Sequence, residues 1–246
     1  MCIDAATSYR PYSPISVETP GYFELLVRRY PNGLFSSQLA RLEPGDQASF
    51  LGPIESRYRY TRGATPELGL IAAGTGITPM WQVIQTILAD PHDTTRISLV
   101  YASKSTDDIL LKDELDRAAA EHPDRFRACY VVSQPSNSSV GGRGTPLTPA
   151  NLPPNVRHGR INEELLRSEL PAPPDGNAES ADRGQAACHL LISGPDSLLV
   201  ELCGRRARDG GTNYGPGEEA VANAKHPALG GVLRHLGYRA NQVAWL

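Results

Sequence analysis

Four short apolar runs alternate with longer amphipathic segments along most of the chain. The runs are short and almost uniformly apolar, which predicts buried strands at LGLIAA (68–73), ISLVYA (97–102), FRACYVVS (126–133) and CHLLISG (188–194). The segments between them predict helices around Met80–Leu88, Ile109–Glu121, Asn162–Leu170 and Ser197–Cys203. Strands that alternate with helices predict right-handed crossovers and an α/β fold with a parallel sheet. Its ligand is expected at the carboxyl ends of the strands.

A glycine-rich turn follows the first of these strands. GTGITP, from Gly74 to Pro79, stands between LGLIAA and MWQVIQTIL. It predicts a strand, a turn and a helix start that presents free backbone N–H groups to a phosphate or a flavin edge. An ordinary strand-to-helix turn, with Thr78 as N-cap and Pro79 at the first helical position, explains the motif alone equally well. The motif is neither G-x-G-x-x-G, because Pro79 takes the third position, nor a lysine-bearing Walker loop.

Residues 1–62 predict strands and turns with two motifs suited to a flavin nucleotide. RPYS, from Arg10 to Ser13, combines a cation for a pyrophosphate, a ring for an isoalloxazine and a hydroxyl for a ring nitrogen. GYFELLVRRY predicts a strand, and PNGLFS predicts a turn into a short helical stretch. By itself RPYS fits a plain turn better than a cofactor site, and only the order of the motifs along the chain favours a flavin site.

That order resembles the NADH-cytochrome b5 reductase branch of the ferredoxin-reductase-like flavoproteins, nearly from end to end. The resemblance implies a partial antiparallel FAD-binding β-barrel over residues 1–62. It implies an α/β NAD-binding domain over 63–246, with loop insertions at about 134–158, 171–187 and 204–228. It further implies an NADH-dependent flavin oxidoreductase with FAD and NADH as cofactors. The expected partner is a haem-protein electron acceptor.

The same resemblance assigns roles to individual residues. Thr78 and Ser193 are the predicted catalytic residues, at the junction of flavin and nicotinamide, and Asp108 is expected against the adenosine ribose, where it favours NADH over NADPH. The predicted cofactor-binding residues are Arg10, Pro11, Tyr12, Ser13, Arg28, Tyr30, Gly33, Leu34, Phe35, Ser36, Gly74, Thr75, Gly76, Thr78, Pro79, Ala102, Ser103, Asp108, Gly194, Pro195 and Asp196.

Three departures from the family pattern shape the expectations. Few residues precede RPYS, so we expect either a shortened form of the protein or an incomplete FAD domain whose affinity for FAD is impaired. SGPD, Ser193 to Asp196, replaces the family's CGPP, and slower hydride transfer is expected. The Gly-rich segment between Cys203 and Leu229 resembles fungal mitochondrial cytochrome c import factors. That likeness predicts a mitochondrial location, with a cytoplasmic one second, and a cytochrome c maturation component as another acceptor.

Composition narrows the function classes. The net charge of −3 argues against a nucleic-acid partner. The sequence has no run of about 18 apolar residues, so no transmembrane helix is predicted and membrane association is expected only through a segment outside this chain. The four cysteines lack C-x-x-C spacing, which predicts no metal site and no disulfide framework. A rival hypothesis is a binding or assembly protein that keeps the fold but has lost efficient turnover. Ser193 and the short N-terminus favour the rival; RPYS, GTGITP and Asp108 favour the enzyme.

Overall fold

A six-stranded parallel sheet forms the larger part of the molecule. The structure, a computed structural model, describes residues 2–3, 10–53, 58–134, 152–173, 188–204 and 229–246. The strands are β3 (Glu67–Ala73), β4 (Arg96–Ser103), β5 (Phe126–Val132), β6 (Val156–His158), β7 (Cys188–Ser193) and β8 (Val243–Trp245). Their order across the sheet is β6-β5-β4-β3-β7-β8, and each neighbouring pair is parallel. The four strands predicted from the apolar runs are confirmed.

Helices cover both faces of this sheet. Leu70 of β3 belongs to the apolar core on one face, while the adjacent Ile71 belongs to the core on the other, because successive side chains of a strand point to opposite faces. Burial on both faces explains why the strand sequences are almost uniformly apolar. The helices are α2 (Ile77–Ala89), α3 (Lys112–Glu121), α4 (Glu163–Glu169), α5 (Asp196–Cys203) and α6 (Gly231–His235).

Two helices begin elsewhere than the sequence predicts. A 3₁₀ turn over Gly74–Gly76 precedes α2, so Gly76 is the N-cap and the helix begins at Ile77 rather than near Met80; the alternative with Thr78 as N-cap and Pro79 first in the helix is wrong. Thr78 Oγ1 instead donates to the carbonyl oxygen of Thr75. Helix α3 begins at Lys112 rather than at Ile109, because Leu111 has a left-handed backbone with φ of 56°.

Part of a predicted loop is a strand. β6 lies inside the stretch expected as a loop at 134–158, and it pairs with Tyr130, Val131 and Val132 of β5. That part of the loop prediction is wrong, since backbone pairing forms an edge strand there without an apolar run. The remaining stretch, 135–151, lies outside the described residues, as do 174–187 and 205–228 of the other predicted insertions.

The N-terminal part is less regular. It contains an antiparallel pair, β1 (Cys2–Ile3) with β2 (Phe50–Leu51), and the short helix α1 (Leu34–Leu39). Residues 21–30 form no strand ladder among the described residues, although Ile15 N–H donates to the carbonyl oxygen of Glu24 over 2.8 Å. Within the part of the chain that the structure describes, no helix is long and apolar enough to span a membrane.

Candidate functional site

A cavity of about 1140 Å³ opens where the N-terminal part faces the carboxyl ends of the sheet strands. It exceeds the usual range for one small ligand, roughly 300–1,000 Å³, so it has room for more than one ligand. The structure gathers the predicted site residues around it, with Asp196 as the exception. The predicted residues in its wall are Arg10, Pro11, Tyr12, Ser13, Arg28, Tyr30, Gly33, Leu34, Phe35, Ser36, Gly74, Thr75, Gly76, Thr78, Pro79, Ala102, Ser103, Asp108, Ser193, Gly194 and Pro195.

The Gly74–Gly76 turn is pressed against the end of β7. A Cβ atom at Gly76 would lie 2.3 Å from the carbonyl oxygen of Ser193, so only glycine fits there. Tyr101 of β4 stabilises the turn, since its hydroxyl donates to the carbonyl oxygen of Gly74 over 2.9 Å. Burial raises the pKa of Tyr101, which keeps this hydroxyl protonated as a donor. The two loops that would hold a nicotinamide are therefore fixed relative to each other.

Ser193, the residue at the predicted hydride-transfer centre, is engaged within the protein. It is buried, and its Oγ donates to the carbonyl oxygen of Leu246 over 3.1 Å. Leu246 N–H in turn donates to Ile192, so the hydroxyl and the backbone together hold the chain after β8 against β7. The hydroxyl proton of Ser193 is thus directed at Leu246 and stabilises the cavity wall.

Asp196 lies outside the cavity wall. It is exposed in the first turn of α5, directly after the N-cap Pro195. A carboxylate at that position interacts favourably with the helix dipole. The position of Asp196 is thus explained by helix stability.

The N-terminal wall presents a cation, a phenol and a tight turn. Arg10 lies over the ring of Phe35, 5.3 Å from the centroid. Burial raises the pKa of Tyr12, although Arg10 opposes the shift, so Tyr12 is a neutral phenol at physiological pH. Ser36 Oγ accepts a hydrogen bond from Tyr30 N–H over 3.1 Å and is buried. Ser36 therefore stabilises the turn into α1, whose first N–H groups have no partner within the helix.

An ion pair connects the two sides of the cavity. Arg28 of the N-terminal part and Asp108 after β4 approach to 3.7 Å, and both side chains are partly exposed. Asp108 also accepts a hydrogen bond from Ser105 Oγ over 2.7 Å. The carboxylate predicted to meet the adenosine ribose is thus held between a cation and a hydroxyl.

Sequence reasoning missed several residues in the cavity wall. Lys104 and Ser133 lie just beyond strand ends, and a systematic use of the rule that ligands bind at carboxyl strand ends could have found them. Gly159, with φ of 125°, and Arg160 follow β6, which the sequence did not reveal. The missed residues include Leu26, Asn32, Lys104, Val131, Ser133, Gly159, Arg160, Ile161, Ser197, Glu201 and Leu246.

The charges of the wall suit an anionic ligand. Four cations face the cavity, Arg10, Arg28, Lys104 and Arg160, against the two carboxylates of Asp108 and Glu201. This excess, the close glycine turn and the neutral Tyr12 fit the phosphates and flat rings of FAD and a nicotinamide dinucleotide. Among the described residues, no cluster of His, Cys, Asp and Glu could hold a metal ion. Cys129 and Cys203 are buried free thiols whose pKa burial raises to about 11.

Comparisons with known proteins agree with this geometry. Residues 1–60 match the family model described as Oxidoreductase FAD-binding domain, and residues 70–150 match Oxidoreductase NAD-binding domain. The predicted cofactors, FAD and NADH, are borne out by these two domains.

Two relatives and a solved structure extend the likeness. An NADH-cytochrome b5 reductase-like protein of Arabidopsis thaliana is 35% identical over 235 residues, 95% of this chain and 59% of the relative. NADH-cytochrome b5 reductase 1 of Debaryomyces hansenii is 46% identical over 194 residues, 78% of this chain and 59% of the relative. The cytochrome b5 reductase domain of Ulva prolifera nitrate reductase superposes with a TM-score of 0.68 at 26% identity, covering 100% of this chain and 82% of that one.

The chain spans about 60% of the length of the curated relatives that it matches. Within that span both cofactor domains are present, and the predicted ferredoxin-reductase-like fold is confirmed. On this evidence the chain belongs to the NADH-cytochrome b5 reductase family.

Proposed function

We propose that this protein is an FAD-dependent NADH oxidoreductase that delivers electrons to a haem protein, with cytochrome b5 as the acceptor. The observation that carries the proposal is the cavity shared by RPYS, the PNGLFS turn, the GTG turn and the end of β7. Bound FAD would supply the redox chemistry, taking a hydride from NADH and releasing its electrons singly. The residues of this chain bind and orient the two cofactors.

The glycine turn and the end of β7 would set the place of the nicotinamide. Because Gly76 touches the backbone of Ser193, the two loops have little freedom to separate. Thr78 stiffens the turn through its bond to Thr75, which makes it a positioning residue. Holding two reactants in a fixed orientation is a large part of catalysis when a cofactor performs the chemistry.

The N-terminal wall would hold the flavin nucleotide. Arg10 supplies a cation for its phosphates, and the neutral Tyr12 supplies a ring for stacking and a hydroxyl for hydrogen bonds. The PNGLFS turn adds backbone N–H groups, with Ser36 maintaining its shape. The pair between Arg28 and Asp108 connects this wall to the NAD-binding side and contributes little to stability.

Anaerobic reduction of purified cytochrome b5 tests the proposal. The protein is incubated with FAD, freed of excess cofactor and mixed with NADH and cytochrome b5 under nitrogen. We expect cytochrome reduction that requires both FAD and NADH. A protein that retains no flavin and reduces no cytochrome would contradict the proposal and favour the binding or assembly hypothesis.

A narrower proposal concerns the location of the protein in the cell and the identity of its electron acceptor. We propose a mitochondrial role in cytochrome c maturation on the basis of the segment between Cys203 and Leu229, most of which lies outside the described residues. Subcellular fractionation of cells expressing the full-length protein tests the location. Recovery in the cytosol alone would contradict it and leave the cytochrome b5 proposal in place.

A further inference from the structure

Three consecutive strands of the sheet end side by side at the cavity. The last paired residues are Ser103 of β4, Val132 of β5 and His158 of β6, and they lie in register across the sheet. Neighbouring strands are about 4.8 Å apart, so the residues that follow them emerge next to one another. The cavity-lining residues at this edge are Lys104, Ser133 and Arg160.

This edge carries two cations that form no ion pair within the described part of the chain. Lys104 and Arg160 are both exposed and both line the cavity. Among the described residues, neither has a carboxylate oxygen within the 4.0 Å that defines an ion pair. Two such cations at one edge of a cavity are suited to a doubly charged anion such as a phosphate monoester.

Ser133 directly follows β5, which lies between the strands that carry the two cations, and it adds no charge. Its Oγ donates to the carbonyl oxygen of Lys104 over 3.2 Å, and Gln134 N–H donates to the same oxygen over 2.8 Å. These bonds fix the chain after β4 against the chain after β5. Because the side chain of Ser133 is short and neutral, it places no carboxylate between the strands that carry Lys104 and Arg160.

Asp108, the predicted guard against a 2′-phosphate, does not offset these cations. Its carboxylate faces Arg28 at 3.7 Å and Ser105 at 2.7 Å. The charge of Arg28 compensates the charge of Asp108, so repulsion of an incoming phosphate is weakened.

We propose that Lys104 and Arg160 form a subsite for the 2′-phosphate of an adenosine nucleotide, so that the protein accepts NADPH as well as NADH. The adenosine end of a dinucleotide reaches this edge when its nicotinamide lies at Gly76, since β5 is two strands from β3 and thus roughly 10 Å away. The use of NADPH rests on the proposed reductase function, but the subsite itself is tested by binding alone.

The test compares two probes that differ by one phosphate, adenosine 2′,5′-bisphosphate and 5′-AMP. Calorimetric titration of the purified protein at about 0.15 M salt gives the ratio of their dissociation constants. We expect the bisphosphate to bind about tenfold more tightly, as charge-assisted hydrogen bonds to one phosphate would produce. Equal affinities, or weaker binding of the bisphosphate, would overturn the proposal.

Single substitutions show whether Lys104 and Arg160 cause the preference for the bisphosphate. Lys104→Ala and Arg160→Ala should each lower the ratio severalfold by weakening the bisphosphate selectively. Should they weaken both probes equally, the cations would serve the 5′-phosphate and the proposal would fail. Arg117→Ala is the matched control, because it removes an exposed cation of α3 outside the cavity and should leave the ratio unchanged.

Ser133 provides a second test with its own control. Ser133→Asp places a carboxylate between the two cations and should bring the ratio to about one or below. Ser133→Asn has nearly the same shape without the charge and should retain most of the preference. A preference that survives Ser133→Asp would contradict the assigned position.

These experiments distinguish a failure of the phosphate subsite from a failure of the proposed reductase function. A protein that prefers the bisphosphate but reduces no cytochrome retains the subsite and contradicts the proposed function. A protein that oxidises NADH but shows no preference for the bisphosphate contradicts only the subsite. In an active protein, the ratio of kcat/KM for NADPH to that for NADH should fall in Ser133→Asp relative to Ser133→Asn.

Discussion

The two halves of the chain line one cavity but hold their residues in different ways. In the NAD-binding half, the site residues follow strands of a parallel sheet that is buried on both faces. In the FAD-binding half, they lie on extended chain and turns, and large apolar side chains such as Tyr22 and Leu34 are 61% exposed. Site geometry in the first half follows from the sheet, whereas in the second it depends on a few side-chain contacts. Stability should therefore be concentrated in the NAD-binding half.

The largest expected effect comes from a cavity in the sheet core. Leu191 of β7 is fully buried, so Leu191→Ala should lower the free energy of unfolding by about 3 kcal/mol. Phe50 in the FAD-binding half is only half-buried and packs edge-on against Phe23 at 5.2 Å, so Phe50→Ala should cost about 1 kcal/mol. Urea unfolding followed by circular dichroism measures both. Equal losses would contradict the contrast between the halves.

Two glycines extend the comparison to the cavity wall. A Cβ at Gly76 meets the backbone of Ser193, which cannot move without disturbing β7, so Gly76→Ala should cost about 2 kcal/mol. A Cβ at Gly33 meets the side-chain oxygen of Ser36 at 2.5 Å, and that side chain can rotate away only by losing its hydrogen bond from Tyr30 N–H. Gly33→Ala should therefore cost about 1 kcal/mol, less than Gly76→Ala. Thermal unfolding ranks the two variants, and a larger loss from Gly33→Ala would contradict this reasoning.

The connection between the halves contains a buried polar contact with a predicted pH dependence. Tyr60 donates to Asp93, and Asp93 also accepts from Thr95 N–H over 2.9 Å. Burial acts to raise the pKa of Asp93, but these hydrogen bonds and the nearby Arg125 outweigh it and lower the pKa below its usual value. Asp93 thus stabilises the fold above its unfolded pKa, and this contribution is lost as the pH falls through the lower folded value.

Tyr60→Phe removes the hydroxyl that donates to Asp93 and should lower the free energy of unfolding by about 1.5 kcal/mol at neutral pH. It should also move the acid loss of stability to higher pH, because the Asp93 carboxylate loses a donor. Melting temperatures between neutral and acidic pH test both effects. If the melting temperature of Tyr60→Phe falls over the same acidic pH range as that of the unsubstituted protein, the role of Tyr60 is contradicted.

The smallest expected effect is that of the ion pair across the cavity. Arg28 and Asp108 are 3.7 Å apart and partly exposed, so a double-mutant cycle of their alanine variants should give a coupling of about 0.5 kcal/mol. The coupling should fall with added salt. A coupling of several kcal/mol would mean that this pair, rather than the sheet, determines how the halves fit together.

The same contrast explains what the sequence could predict. Strands β3, β4, β5 and β7 were predictable because burial on both faces requires apolar runs. Strand β6 was not, because its three residues, Val156–His158, are held by backbone pairing and two of their side chains are exposed.

The candidate site was likewise predictable only in part from the sequence. Motifs with glycine or proline, such as GTGITP and RPYS, were recognisable because glycine permits and proline fixes backbone conformations that other residues do not favour. Lys104, Ser133 and Arg160 carry no such signal, since their proximity depends on strand order and register, which a single sequence does not specify. Likewise, the bond from Ser193 to Leu246 joins residues that only the order of β7 and β8 brings together.

The most direct test of the account is an absorption spectrum of the FAD-loaded protein, recorded under nitrogen before and after addition of NADH. The account predicts that the protein retains the visible flavin band and that NADH bleaches it, because both halves place their residues around one cavity. A protein that stays colourless after incubation with FAD, or a flavin band that NADH leaves unchanged, would contradict the claim that the two halves form a working redox site.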